Sequence, residues 1–185
     1  GNKAATTRDS DFLEYIVSAT NHQYMLFFTE KGKCYWLRVF EIPEGSKTAK
    51  GRAVQNLINI EPDDKIKAYI RTNNLKDLEY VNQMSVVMVT RNGTIKKTSL
   101  EAYSRPRVNG VNAIEIRDND QLLGAYLTNG TSEIMIATKN GKCIRFPEAK
   151  VREVGRGSIG VRGISMEEND EVIGMIVVND LENDT

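Results

Sequence analysis

The stretch "EVGRGSIGVRG", residues 153–163, spaces Gly155, Gly157 and Gly160 as G-x-G-x-x-G. That spacing suits a loop whose backbone N–H groups approach a phosphate closely, and Arg156 and Arg162 add positive charge beside it. A dinucleotide loop must also follow a strand and open a helix, so that the helix N-terminus meets the pyrophosphate. Here the glycines run into "ISMEENDEVIGMIVV": a short segment, an acidic turn and a strand-like run. The residues keep the chemistry of phosphate binding without the context of a dinucleotide fold.

Other chemistry is thin. His22 stands alone in "TNHQY", reads as a hairpin-turn residue, and has no Ser or Cys arranged with it as a hydrolase triad requires. Asp63–Asp64 and Glu167–Glu168 lie in turns leading into strands, where Asp caps turns. Gly-Lys at 32–33 and 141–142 lacks the preceding Gly and the following Ser or Thr of a P-loop. Cys34 and Cys143 form no C-x-x-C pair, and one histidine cannot complete a zinc set. Their runs, "GKCYWL" and "GKCIRF", predict buried free thiols. No catalytic group, metal site or cofactor is therefore expected within this chain.

The elements that must position the loop come from a repeat. "MLFFTEKGKCYWL" (25–37), "VVMVTRNGTIKKT" (86–98) and "IMIATKNGKCIRF" (134–146) each set a β-rich run, a Thr, a Gly and a second β-rich run. The Thr positions 29, 90 and 138 give periods of 61 and 48 residues. A short turn ending in Lys-Gly or Asn-Gly between β-prone runs predicts a hairpin.

A second phrase recurs in phase. "GVNAIEIRDNDQLLGAYL" (110–127) matches "GVRGISMEENDEVIGMIV" (160–177), with Asp120 and Asp170 each ten residues after the glycine. "GRAVQNLINIEPDDKIKAYI" (51–70) fits with three residues inserted before Asp64, and "GNKAATTRDSDFLEYIV" (1–17) fits with Asp11 in place. The organisation predicted is the end of one unit at 1–20, three repeats starting near 23, 84 and 133, and the start of another at 179–185, as in a piece of a longer array. Four short β segments per unit, a period near 50 and no convincing helix predict an all-β, propeller-like array of four-stranded blades.

The formal net charge is zero, so any electrostatic function must lie in the arrangement of charge. Lys31, Lys33, Arg38, Lys47, Lys50 and Arg52 face Glu41 and Glu44 for a net +4 over 31–52. Arg91, Lys96, Lys97, Arg105 and Arg107 face Glu101, again +4. Lys139, Lys142, Arg145, Lys150, Arg152, Arg156 and Arg162 face Glu148 and Glu153, net +5, while residues 163–185 hold seven acidic residues and no basic one. A single charge run is ordinarily a solvated face. Three in phase with the repeat predict a basic stripe for a polyanion, a long duplex held by its phosphates with little sequence reading. Trp36, Phe27 and Phe28 sit inside strands and read as core, which argues against single-strand binding. No apolar run reaches ~18 residues and the N-terminus lacks an apolar leader, so the expected place is the cytoplasm, with no membrane partner.

At these residues the chain resembles the C-terminal domain of the gyrase A protein of bacterial DNA gyrase, a type II topoisomerase. The resemblance rests on "MLFFTEKGKCYWLRVFEIPEGSKTAKGRAVQNL", above all Phe27-Phe28-Thr29, Lys31-Gly32, Glu41-Ile42-Pro43 and Ala49-Lys50-Gly51, and on "MIATKNGKCIRFPEAKVREVGRGSIGVRGI". It implies a β-pinwheel, a propeller-like disc or spiral whose blades exchange strands. It also implies a basic outer rim that binds and bends duplex DNA without sequence preference, in support of ATP-dependent negative supercoiling. The partners implied are double-stranded DNA, the rest of the gyrase A protein, and the gyrase B protein of an A2B2 holoenzyme associated with the bacterial nucleoid. The nucleophile, ATP and Mg would belong to that holoenzyme and not to this piece. The family's hallmark, a box resembling Q-R-R-G-G-R-G, is absent; the repeat alignment sets Gly1 at its last glycine, equivalent to Gly160. "GRGSIG" sits at the same position in another unit and reads as a degenerate box, with Arg156, Gly157 and Gly160 matching and Gly155, Ser158 and Ile159 departing. The alternatives are the equivalent domain of topoisomerase IV and a propeller that binds protein partners.

Overall fold

A computed structural model of the chain describes residues 23–39 and 54–179. The three recurring phrases form hairpins: β1 (Gln23–Thr29) with β2 (Lys33–Arg38), β4 (Ser85–Thr90) with β5 (Thr94–Ser99), and β8 (Glu133–Thr138) with β9 (Cys143–Pro147). Each turn closes on a glycine in the left-handed region, Gly32, Gly93 and Gly141 at φ +90°, +89° and +90°, where a side chain is strained. Before each glycine the Thr hydroxyl accepts from a backbone N–H four residues on, at 3.1 Å in all three hairpins: Lys33 to Thr29, Thr94 to Thr90, Lys142 to Thr138.

The recurring aspartate closes the same turn from outside. Asp64 Oδ1 accepts from Lys31 N at 3.1 Å, Asp120 Oδ1 from Asn92 N at 2.9 Å and Asp170 Oδ1 from Asn140 N at 3.0 Å. This is why the two phrases stay in phase although the spacer between them varies. The aspartates lead into β3 (Ile66–Asn74), β7 (Leu122–Thr128) and β11 (Val172–Val178), which pair antiparallel with β1, β4 and β8.

The fourth strand of a blade comes from the next repeat. β6 (Val111–Asn112) pairs with β2 through Cys34↔Val111 and Lys33↔Asn112, and β10 (Val161–Arg162) pairs with β5 through Ile95↔Val161 and Thr94↔Arg162. The sheet orders are β3-β1-β2-β6, β7-β4-β5-β10 and, three-stranded, β11-β8-β9. β3 packs against β7 and β7 against β11, so these strands form the inner edges and β6 and β10 the outer ones.

The core lies between blades. β4 reads "SVVMVT" and is buried on both faces. Val86 and Met88 join Leu26, Phe28, Cys34 and Trp36 of the first blade, while Val87 and Val89 join Ile134, Ile136 and Met175 of the third. A continuous apolar run rather than an alternating one is what a strand between two neighbours requires. Phe28 and Tyr103 meet edge to face at 5.7 Å.

Two expectations are corrected. A short helix, α1 (Leu78–Gln83), is present, capped by Asp77, whose carboxylate accepts from Tyr80 N. Its six residues bury Val81 alone and leave no helical period to read. Cys34 is buried as expected, but Cys143 is exposed, because β9 is an edge strand among the described residues whereas β2 is covered by β6. His22 lies outside the described residues.

Candidate nucleic-acid interface

The outer edge is built by β6 and β10 and by the loops that enter them, 100–110 and 148–160. Each loop starts with a 3-10 turn, Leu100–Tyr103 and Glu148–Lys150, that returns the chain toward the preceding blade. Trp36 Nε1 donates to Tyr103 O at 2.9 Å, tying the first joint. At the second joint the equivalent of Trp36 is Lys97 and the equivalent of Leu100 is Glu148. Their buried side chains form an ion pair at 3.3 Å, and Glu148 Oε2 also accepts from Ser132 N at 3.2 Å.

The "GRGSIG" loop lies on this edge. Ser158 N donates to Gly155 O at 3.0 Å, closing a turn, and the chain then enters β10, not a helix. A Cβ at Gly157 would meet nothing within 4 Å, and one at Gly155 only Ser158 Oγ, at 3.9 Å. Gly160 differs: a Cβ there would sit 2.5 Å from Ile95 O and 2.6 Å from Thr94 Cγ2, so this glycine lets β10 lie against β5. At its counterpart Gly110 an added Cβ would sit 2.7 Å from the Tyr35 ring and 2.9 Å from Cys34 O. Arg156 Nη1 donates to Asn112 O at 3.0 Å, which turns the guanidinium toward the first blade's outer strand.

The structure divides the cations expected on the rim. Lys47, Lys50 and Arg52 lie outside the described residues. Lys96 and Lys97 are corrected: both are buried, since β5 lies between two blades, and neither reaches the surface. Lys96 Nζ donates to Ala113 O at 2.9 Å and to Arg156 O. Burial, and then the neighbouring Arg156 charge, lower its pKa from 10.5 to about 8.

Other cations reach the surface but are engaged. Lys31 pairs with Asp63 at 2.5 Å and Glu61 at 3.4 Å, and Lys33 with Glu61 at 3.2 Å. The hydrogen bond from Lys31 holds the Asp63 carboxyl below its ordinary range, and that from Lys33 does the same for Glu61. Arg91 faces Glu171 at 3.8 Å and donates to Asn119 O, Arg105 pairs with Glu101 at 2.6 Å, and Arg145 pairs with Glu133. Lys142 donates to Ser165 O, and Arg38 donates to Tyr24 Oη at 3.2 Å.

Arg107, Lys139, Lys150, Arg152 and Arg162 are exposed and have no acidic partner among the described residues. Except for Lys139, in the third hairpin turn, they sit on the outer-edge loops or on β10. Arg117 was missed because it opens an acidic turn. It is exposed and lines a shallow groove of about 430 Å³ with Arg162 and Gly160, a groove that Asp118 and Asp120 also line. Convergence on Arg162 across 45 residues of chain left no signal in the sequence.

The family described as DNA gyrase C-terminal domain, beta-propeller, matches residues 23–73, 85–129 and 132–179. The gyrase A protein of Salmonella typhimurium is 38% identical over 177 residues, 96% of this chain, and that of Chlamydia muridarum is 39% identical over 176 residues, 94% of this chain. The chain spans about a fifth of the length of these relatives, 20% in each case. Among solved structures, the C-terminal domain of a DNA topoisomerase IV is similar with a TM-score of 0.72 and 29% identity, over 86% of this chain and 48% of that one. The fold is also that of a DNA gyrase A C-terminal domain, with a TM-score of 0.68 at 21% identity over 85% of this chain and 48% of that one. Strand-exchanging four-stranded blades and a match over three consecutive repeats lead to one conclusion: the chain belongs to the DNA gyrase C-terminal domain family of beta-propellers.

Proposed function

We propose that the outer edge binds duplex DNA through its phosphates, without sequence preference, and bends it across successive blades. One observation carries the reading: Arg107 in one strand-exchange loop, and Lys150, Arg152 and Arg162 around the next, are exposed and have no acidic partner among the described residues, so the edge presents four uncompensated cations on consecutive joints. A protein that neutralises Z phosphates releases their counterions, so log K falls with log[salt] at a slope of roughly −0.9Z. Four contacts would give a slope of about −3 to −4. Gel-shift titration at two salt concentrations reads it, and a flat salt dependence overturns the rim. In the longer protein this surface would present DNA to a type II topoisomerase whose ATP, Mg and nucleophile lie elsewhere, with the gyrase B protein for a partner.

The likeness to the topoisomerase IV domain supports a second reading, in which the rim feeds that enzyme. The two differ in whether an intact basic box stands in a neighbouring blade of the longer protein. They also differ in whether the assembled enzyme introduces negative supercoils.

A further inference from the structure

Buried cations are expensive unless hydrogen bonds replace their water, and Lys96 is nearly inaccessible in the middle of β5. In the first blade the equivalent position is Tyr35, which packs against Gly110. Lys96 instead reaches across the strand-exchange edge. Its Nζ donates to Ala113 O, just after β6, and to Arg156 O, in the loop before β10. Arg156 completes the circuit by donating to Asn112 O. Tyr103 Oη also approaches Ala113 O, at 3.4 Å, and Cys34 lies on the β2 side, with burial raising the pKa of both. Two cations thus bind three backbone carbonyls of two repeats with no carboxylate in the circuit. Arg152 and Arg162 flank the segment so held, and both are exposed.

We propose that Lys96 and Arg156 form a clamp that fixes the degenerate box loop to the preceding blade's exchanged strand and so positions Arg152 and Arg162 for phosphate. The role of the loop's own arginine is then intramolecular, and the phosphate contacts belong to its neighbours. Lys96 is a positioning residue: it is too deep to touch DNA, yet its loss removes contacts made by others. The clamp's role toward DNA rests on the rim proposed above.

The test has one arm without DNA and one with it. In the DNA-free chain, amide exchange is compared for the native sequence, Lys96→Met and Arg156→Ala. A clamp predicts protection lost roughly tenfold or more at 154–163 and 111–114 in both variants, with the third hairpin unchanged. Arg156 is only half-buried, so its variant keeps the core intact if Lys96→Met folds poorly. Unchanged exchange in Arg156→Ala, or loss spread evenly over the chain, overturns the clamp. With DNA, Lys96→Met should shallow the salt slope by about 2, the loss of two phosphate contacts. In the background Arg152→Ala/Arg162→Ala it should shallow it no further. An unaltered slope in Lys96→Met overturns the positioning role while leaving the rim intact. Absence of any shift by the native chain overturns the rim itself, and the exchange arm then reports on the clamp alone.

Discussion

At the scale of the residue, the two buried lysines of β5 make different predictions. Lys97 and Glu148 are an ion pair out of water, and removing one partner of such a pair leaves a charge stranded at a cost of about 3 to 5 kcal/mol. Lys97→Met should cost that much, read as a shift in urea midpoint at constant m. Lys97→Met/Glu148→Gln should recover at least half, because glutamine keeps the hydrogen bond from Ser132 N and carries no charge. Lys96 predicts a pH dependence. Its pKa in the fold is about 8 against an ordinary 10.5, so between these values the unfolded chain holds a proton the native chain has given up. Stability contributed by Lys96 is therefore lowest below pH 8 and rises from pH 8 to 10.5. Cys34 and Tyr103 shift in the opposite sense, but Lys96→Met retains both. The difference in unfolding free energy between the native chain and Lys96→Met should thus move in favour of the native chain across that window. A constant difference would mean that Lys96 is hydrated in the fold.

At the scale of the element, the hairpins were readable because a β-branched run, a Thr and a left-handed Gly are all local. The aspartate was readable as a phase marker but not as a cap, since its bond crosses 28 to 33 residues. Strand exchange was implied by the family resemblance and not by the residues, because β6 and β10 hold two residues each and two residues have no period. The charge runs misled for the same reason of distance. Lys31 and Lys33 read as a free cluster, yet the acidic turn 61–63 that follows them in sequence folds back beside them. The glycines of the box loop separate by function on the same physical ground. Gly160→Ala places a Cβ 2.5 Å from a backbone oxygen that cannot rotate away, so β10 must leave β5. The expected cost is about 1–3 kcal/mol, with amide protection lost at Thr94 through Lys97. Gly157→Ala meets nothing within 4 Å and should stay within about 0.5 kcal/mol of the native chain. Equal cost at both positions would remove the argument that Gly160 serves strand pairing.

At the scale of the whole molecule, zero net charge hides an uneven surface: carboxylates neutralise the first hairpin turn, while the strand-exchange edge around β6 and β10 keeps its cations. On the proposed rim this asymmetry would set how far the described blades bend a duplex. Duplex DNA has a persistence length of about 150 bp, and bending a 20–30 bp site by 40–90° costs of order 1–6 kcal/mol. On the proposed rim each phosphate contact would offset part of that cost, and the candidate contacts lie mainly on the outer edges of the first and second blades, around β6 and β10. An arc so short can anchor a duplex more readily than it can hold a tight curve. End-to-end fluorescence transfer on a short labelled duplex should therefore rise less with this chain than with one carrying additional blades. The two should bind with comparable affinity per contact. Arg152→Ala or Arg162→Ala should each shallow the salt slope by about 1 and lower the transfer further. Lys31→Ala and Lys33→Ala, whose charges are already answered by Glu61 and Asp63, should leave both unchanged. Equal bending by the short and long arrays would mean that curvature is set within one blade, and would overturn a rim that works by adding contacts from blade to blade.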